Sequence, residues 1–194
     1  MKVLLNGLKS EQLNSSATKS IFKRNMSAHK IFLFGLDRAG KTALSNYIKT
    51  NTCGTTKPTL AFNLDKWIID DIDFQVWDAP GQLKLRSLWK NGFEKAKILL
   101  FVLDTSDNNR FDESKEEFMK VINSLETAHI PLVFCFHKID IPEARANLNK
   151  AREIFKLPLL KEREVTTFET TINGCEAIDQ LKAKLVDLIQ NARW

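Results

Sequence analysis

The sequence predicts a three-layer α/β domain, with a mostly parallel sheet held between two layers of helices, and two observations carry that expectation. The runs KIFLFG, DFQVWD, AKILLFVLD and PLVFCFHK are short, continuous and rich in Ile, Leu, Val and Phe, as strands covered on both faces are. Helical patterns alternate with them, which argues for parallel strands joined by crossovers. In chain order, ALSNYIK after the first run is compatible with a helix. Residues 111–125 place Phe118, Val121, Ile122 and Leu125 on one helical face, and Ile178, Leu181, Leu185, Leu188 and Ile189 repeat the pattern near the C-terminus.

The 194 residues suffice for one domain with a full core, and 43% hydrophobic with 27% charged content fits a soluble globular chain. No apolar run approaches the roughly 20 residues that span a bilayer. The opening MKVLLNGLKSEQ lacks the apolar core of a secretory signal. Cys53, Cys135 and Cys175 are odd in number and widely spaced, so a cytoplasmic setting is expected, without a disulfide framework or zinc site. Residues 1–30 hold six basic residues against one acidic, which accounts for the whole net charge of +5. The remainder is balanced, so nucleic acid is not an expected partner.

The chain divides into an N-terminal basic amphipathic extension, residues 1–28, and a domain over residues 29–194. If residues 1–8 are helical, Met1, Leu4, Leu5 and Leu8 form one stripe; SEQLNSSATKS then reads as a flexible joint before Ile21, Phe22 and Met26, which lie among Lys19, Lys23 and Arg24. Such a helix can lie in an anionic membrane interface. The alternatives are a helix packed on the domain's own surface, or disorder.

Residues 35–42, GLDRAGKT, fit G-x-x-x-x-G-K-[ST] with an apolar strand before and a helix after, the context that a phosphate-binding loop needs. Gly35 and Gly40 let the backbone curl so that N–H groups across Asp37, Arg38, Ala39, Gly40, Lys41, Thr42 and Ala43 can face phosphate oxygens. Lys41 would reach the β and γ phosphates, and the Thr42 hydroxyl would hold Mg²⁺. In VWDAPGQ, Asp78 ends a strand where it can hold the Mg²⁺ shell through water; the Gly81 N–H is placed to meet a γ-phosphate, and Gln82 to orient the attacking water. Thr59 can add a second hydroxyl to Mg²⁺ while the γ-phosphate is present, which makes its loop a switch. In FCFHKID, Asp140 can accept two hydrogen bonds from guanine, the Lys138 stem can lie along the base, and His137 ends the strand. The assigned roles are therefore catalytic for Gln82, Lys41 and Gly81, and metal-holding for Thr42, Thr59 and Asp78. A P-loop nucleotide kinase would need an acceptor site and an Arg-rich lid, and the sequence shows neither.

Together these residues resemble a small GTPase of the ADP-ribosylation factor (Arf) and Arf-like family. GLDRAGKT, PTLAFN, WDAPGQLKLRSLW, FVLDTSD and HKIDIP stand where that family has GLDAAGKT, PTIGFN, WDVGGQDKIRPLW, FVVDSND and NKQDLP. The resemblance covers about residues 29–191. It implies a P-loop GTPase (Ras-like) fold with a six-stranded sheet and about five helices. It also implies a monomer that binds and slowly hydrolyses GTP with Mg²⁺, an exchange factor, a GTPase-activating protein and effectors. A hairpin over residues 62–77 would slide on GTP binding and release the N-terminal helix to a membrane, giving a cytoplasmic protein that is reversibly membrane-associated in the GTP state.

The chain departs from the family at defined positions. Lys2 replaces the N-myristoylated glycine, so membrane affinity would rest on a small apolar face and about five charges, each worth roughly 1 kcal/mol near an anionic surface. His137 replaces asparagine, with lowered affinity and loss of a tie to the P-loop expected. Pro80 restricts the start of the second switch. Arg38 replaces alanine and reads as a solvated side chain rather than a built-in arginine finger. Gly92 replaces the tyrosine that joins Phe62 and Trp77 in the effector surface. Thr171, with Thr170 beside it, matches the alanine whose backbone N–H meets the guanine oxygen. Pro80 and His137 also support a second reading: a nucleotide-bound scaffold that hydrolyses little.

Overall fold

A computed structural model describes residues 28–174 and 176–191. Its six strands are β1 (His29–Phe34), β2 (Asn63–Ile69), β3 (Ile72–Asp78), β4 (Ile98–Asp104), β5 (Leu132–His137) and β6 (Val165–Thr170), in the spatial order β2-β3-β1-β4-β5-β6. Only β2 and β3 run antiparallel, joined across Asp70 and Asp71, both at positive φ (48° and 62°), the backbone twist that a two-residue hairpin turn needs. The other four pairings are parallel, so the expected six-stranded, mostly parallel sheet is present.

Five α-helices cover it among the described residues: α1 (Lys41–Thr50), α2 (Trp89–Phe93), α3 (Phe111–Ile122), α4 (Pro142–Phe155) and α5 (Glu176–Gln190). α1 and α5 bury Leu44, Ile48, Ile178, Leu181 and Leu185 against Ile31, Leu33, Val76 and Val102 of one sheet face. On the other face, α2, α3 and α4 enclose a phenylalanine cluster. Phe101, Phe118, Phe134 and Phe155 lie there with ring centroids 4.8 to 6.0 Å apart, edge-on or tilted as aromatic quadrupoles prefer.

The helix expected over residues 111–125 ends earlier. α3 stops at Ile122, whose carbonyl accepts a 2.8 Å bond from Arg163 Nη2, and Ser124 is extended, so Leu125 is 93% exposed rather than on the buried face. No helix among the described residues is long and apolar enough to cross a membrane. The expected N-terminal amphipathic helix and Cys175 lie outside the described residues.

Parallel strands deliver their loops to one edge of the sheet, where open α/β sheets bind ligands. β1 leads into residues 35–40, β3 into residues 79–82, β4 into residues 105–107 and β5 into residues 138–141, so the sequence motifs converge there.

Candidate nucleotide and metal site

Gly35, at φ 146°, lies so close to β4 that a Cβ would fall 2.3 Å from the Val102 carbonyl oxygen. Arg38 follows at φ 63° and Gly40, capping α1, at φ 94°; these left-handed conformations curl the loop around the start of the helix. Asp37, Arg38, Gly40, Lys41, Thr42 and Ala43 line a cleft of about 360 Å³ together with Thr59, Gly81 and Gln82. The expected phosphate-loop residues and catalytic glutamine therefore meet in one cleft. Ala39 is buried beneath it.

Lys41 is buried, and its Nζ donates to the Leu36 carbonyl at 2.9 Å. Burial pushes its pKa down to about 8, against the opposing pull of Asp78 and Asp37. Thr42 Oγ1 donates to Asp78 Oδ2 at 2.6 Å and lies 3.1 Å from Thr59 Oγ1, so the three expected metal-holding residues form one cluster of hard oxygen donors. Asp78 Oδ1 is buried without a hydrogen-bond partner. Burial raises the Asp78 pKa, while Lys41 and the Thr42 bond oppose the rise. No group of three or more His, Cys, Asp or Glu among the described residues is arranged to hold a metal ion, so a Mg²⁺ ion at these oxygens would need phosphate oxygens and water to complete its shell. The residues present fit the ion on those terms.

At the far end, His137 is buried with Nδ1 2.9 Å from Thr170 Oγ1, and its ring packs on Gly40 closely enough that a Cβ there would lie 2.5 Å from the imidazole. The contact with the phosphate loop is thus one of packing, through the ring and Gly40. Burial, then the Lys138 charge, push the His137 pKa down to about 4, so the ring is neutral. Lys138, at φ 65°, donates to Asp104 Oδ2 at 2.6 Å. Asp140 is exposed; hydrogen bonds from Thr171 and Asn173, the latter at 2.8 Å, hold its pKa below the usual carboxylate range. An ionised acceptor thus faces solvent beside the loop of Thr170 and Thr171.

The Asp37 carboxylate is held by two arginines. It accepts from Arg110 Nη2 at 2.8 Å and lies 3.5 Å from Arg86 Nη2, while its N–H donates to the Gly81 carbonyl at 3.1 Å. Arg86, Arg110, Glu113, Asp104 and Asn173 escaped the sequence reading. The signal for Arg110 was its position six residues beyond the end of β4, at the ligand edge of the sheet. Gly92 is buried under Phe62, so that a Cβ would lie 2.6 Å from that ring, and Phe62 stands 5.4 Å from Trp77.

With this geometry in place, comparison with known proteins decides the family. The ADP-ribosylation factor family matches residues 14–189. This chain belongs to that family. It is a small GTPase of the Arf/Arf-like type, with the Ras-like fold. Among solved structures, the Arl6 BBS3 small GTPase from Trypanosoma brucei with bound nucleotide analogue GppNp is similar at a TM-score of 0.75 and 21% identity, covering 86% of this chain and 100% of that one. At that identity the likeness bears on the fold.

Proposed function

We propose that this Arf-family protein is a molecular switch that binds GTP and GDP with Mg²⁺ and hydrolyses GTP to GDP and phosphate. The observation that carries the reading is the meeting of Thr42, Thr59 and Asp78 oxygens beside Lys41, with Gln82 lining the same cleft. Bound Mg²⁺ would offset the negative charge of the β and γ phosphates. Lys41 adds a cation at the same oxygens, Gly81 offers its N–H to the γ-phosphate, and Gln82 orients the water whose oxygen bonds to phosphorus as the bond to the bridging oxygen breaks. Asp140 selects guanine by accepting from its ring N–H and exocyclic amine, while Thr171 offers its backbone N–H to the guanine oxygen.

Phosphate release from GTP by the purified protein, run beside Gln82→Leu, tests the reading; release that falls in the variant at unchanged GDP affinity is expected. Equal calorimetric affinities for GDP and ADP would remove the guanine assignment. A second reading, a nucleotide-bound scaffold that hydrolyses little, draws on Pro80, whose carbonyl accepts a 2.8 Å bond from Trp89 Nε1 and so fixes the start of the second switch. No phosphate release from either form would favour it.

Exchange factor, activating protein and effectors complete the cycle, with the protein acting as a monomer. Residues 1–28 would bring it from the cytoplasm to anionic membranes in the GTP state, reversibly and without a myristoyl chain. GTP-dependent sedimentation with anionic liposomes, lost on deleting residues 1–15, is the expected result; binding that ignored the nucleotide would sink this coupling.

A further inference from the structure

We propose that Arg86 is a positioning residue that holds Gly81 at the γ-phosphate end of the cleft through a closed ring of ion pairs, and so sets the preference for a nucleoside triphosphate over a diphosphate. The assignment rests on the guanine-nucleotide reading above.

Arg86 leaves the short 3₁₀ helix Leu83–Leu88 with its side chain only 3% exposed. Its Nε donates to the Gly81 carbonyl at 2.8 Å, and that same oxygen accepts from the Asp37 N–H at 3.1 Å. Both acceptor positions of the Gly81 carbonyl are therefore engaged. The peptide lies directly on the phosphate loop, where a Cβ on residue 81 would fall 2.3 Å from the Asp37 nitrogen.

A guanidinium this deeply buried stays in place only if carboxylates compensate it. Glu113 sits 2.8 Å from Arg86 Nη2 and 2.9 Å from Arg110 Nε, while Arg110 Nη2 returns to Asp37 at 2.8 Å and Asp37 lies 3.5 Å from Arg86. Arg86, Glu113, Arg110 and Asp37 thus alternate in sign around a closed ring that fastens the second switch to α3 and to the phosphate loop. Only a nucleotide with a γ-phosphate has an atom to offer the Gly81 N–H. Holding Gly81 in advance therefore removes an ordering cost from triphosphate binding and none from diphosphate binding.

The test measures dissociation constants of fluorescent GDP and GppNHp, with Mg²⁺, for the full chain, Arg86→Lys, Glu113→Gln and, as a control at an exposed position outside the ring, Lys161→Gln. Arg86→Lys keeps the charge but removes the Nε–H that reaches Gly81, and Glu113→Gln opens the ring while keeping its shape. Each is expected to weaken GppNHp roughly tenfold, the scale of a charge-assisted hydrogen bond, with GDP affinity within about twofold of the unaltered chain. Equal weakening of both nucleotides would reveal a general structural role and overturn the proposal, as would unchanged GppNHp affinity or a selective loss of GDP. Should Arg86→Lys fail to fold, Glu113→Gln, altered at a side chain 38% exposed, decides the matter alone. An unaltered chain that bound neither guanine nucleotide would instead overturn the nucleotide reading, and this assignment with it.

Discussion

Thr42 Oγ1 donates a 2.6 Å hydrogen bond to Asp78 Oδ2, although the two residues are 36 positions apart and stand at the ends of different elements. The first turn of α1 supplies the hydroxyl and the last residue of β3 the carboxylate. Asp78→Asn keeps an acceptor for Thr42 but removes the charge that would hold water around Mg²⁺. Nucleotide release in the presence of Mg²⁺ should then accelerate roughly 10- to 100-fold, while release in EDTA changes little. Stopped-flow displacement of a fluorescent GDP reads both rates.

Lys41 couples nucleotide binding to protons. In the nucleotide-free protein its pKa of about 8 lies below the ordinary 10.5, so between these values the unfolded state binds more protons and this residue's contribution to stability rises with pH. A phosphate placed against Nζ favours the charged form. GDP binding at pH 8.5 should therefore take up protons, and at pH 6.5 Lys41 should contribute none. Calorimetry in buffers of different ionisation enthalpy separates the cases, and Lys41→Met should abolish the uptake.

His137 responds at the acid end. Its pKa of about 4 in the fold, against 6.5 when unfolded, means that the unfolded chain protonates first as pH falls. Its contribution to stability is intact above about pH 6.5 and is lost progressively toward pH 4. Melting temperatures of the protein and of His137→Asn should converge in slope above pH 7 and diverge below pH 6, with the variant the less acid-sensitive. His137→Asn should also raise GDP affinity, since an amide restores the paired donors and acceptor that the imidazole lacks.

Gly92 has no room for a side chain. Its missing Cβ would lie 2.4 Å from Phe32, which is fully buried, and 2.6 Å from Phe62. Restoring the family's aromatic residue through Gly92→Tyr must lift Phe62 from its seat and should cost about 1–3 kcal/mol, read as a shift in urea unfolding midpoint. Gly92→Ala should show the same sign, because the first clash involves the Cβ itself.

How legible the fold was depended on burial. β4 and β5 announced themselves because nearly every residue is covered on both faces, whereas β2 and β6, at the two edges, mix exposed and covered residues and carry no apolar run longer than Trp67–Ile69. The candidate nucleotide cleft was legible because its parts are contiguous motifs, GLDRAGKT above all. The Arg86–Glu113–Arg110–Asp37 ring was not: its members come from three separate segments, and charged residues spaced 3 to 73 positions apart look like ordinary surface until the fold closes them. Leu125 failed in the opposite sense, since its helical spacing was right but the helix stops at Ile122, whose carbonyl is taken up by Arg163, 41 residues further on, and Ser124 is extended.

The pairing of β3 with β1 has a parity. Phe74 and Val76 face the core that Gln75 and Trp77 do not, so shifting β3 by one residue would turn a wholly buried row outward and is forbidden, while a shift by two restores the pattern. Each permitted step carries the strand about 7 Å. Thr42 and Asp78 touch in the observed register, and a two-residue displacement of β3 would separate them. The Thr42–Asp78 bond is a ruler laid along the strand, with one mark.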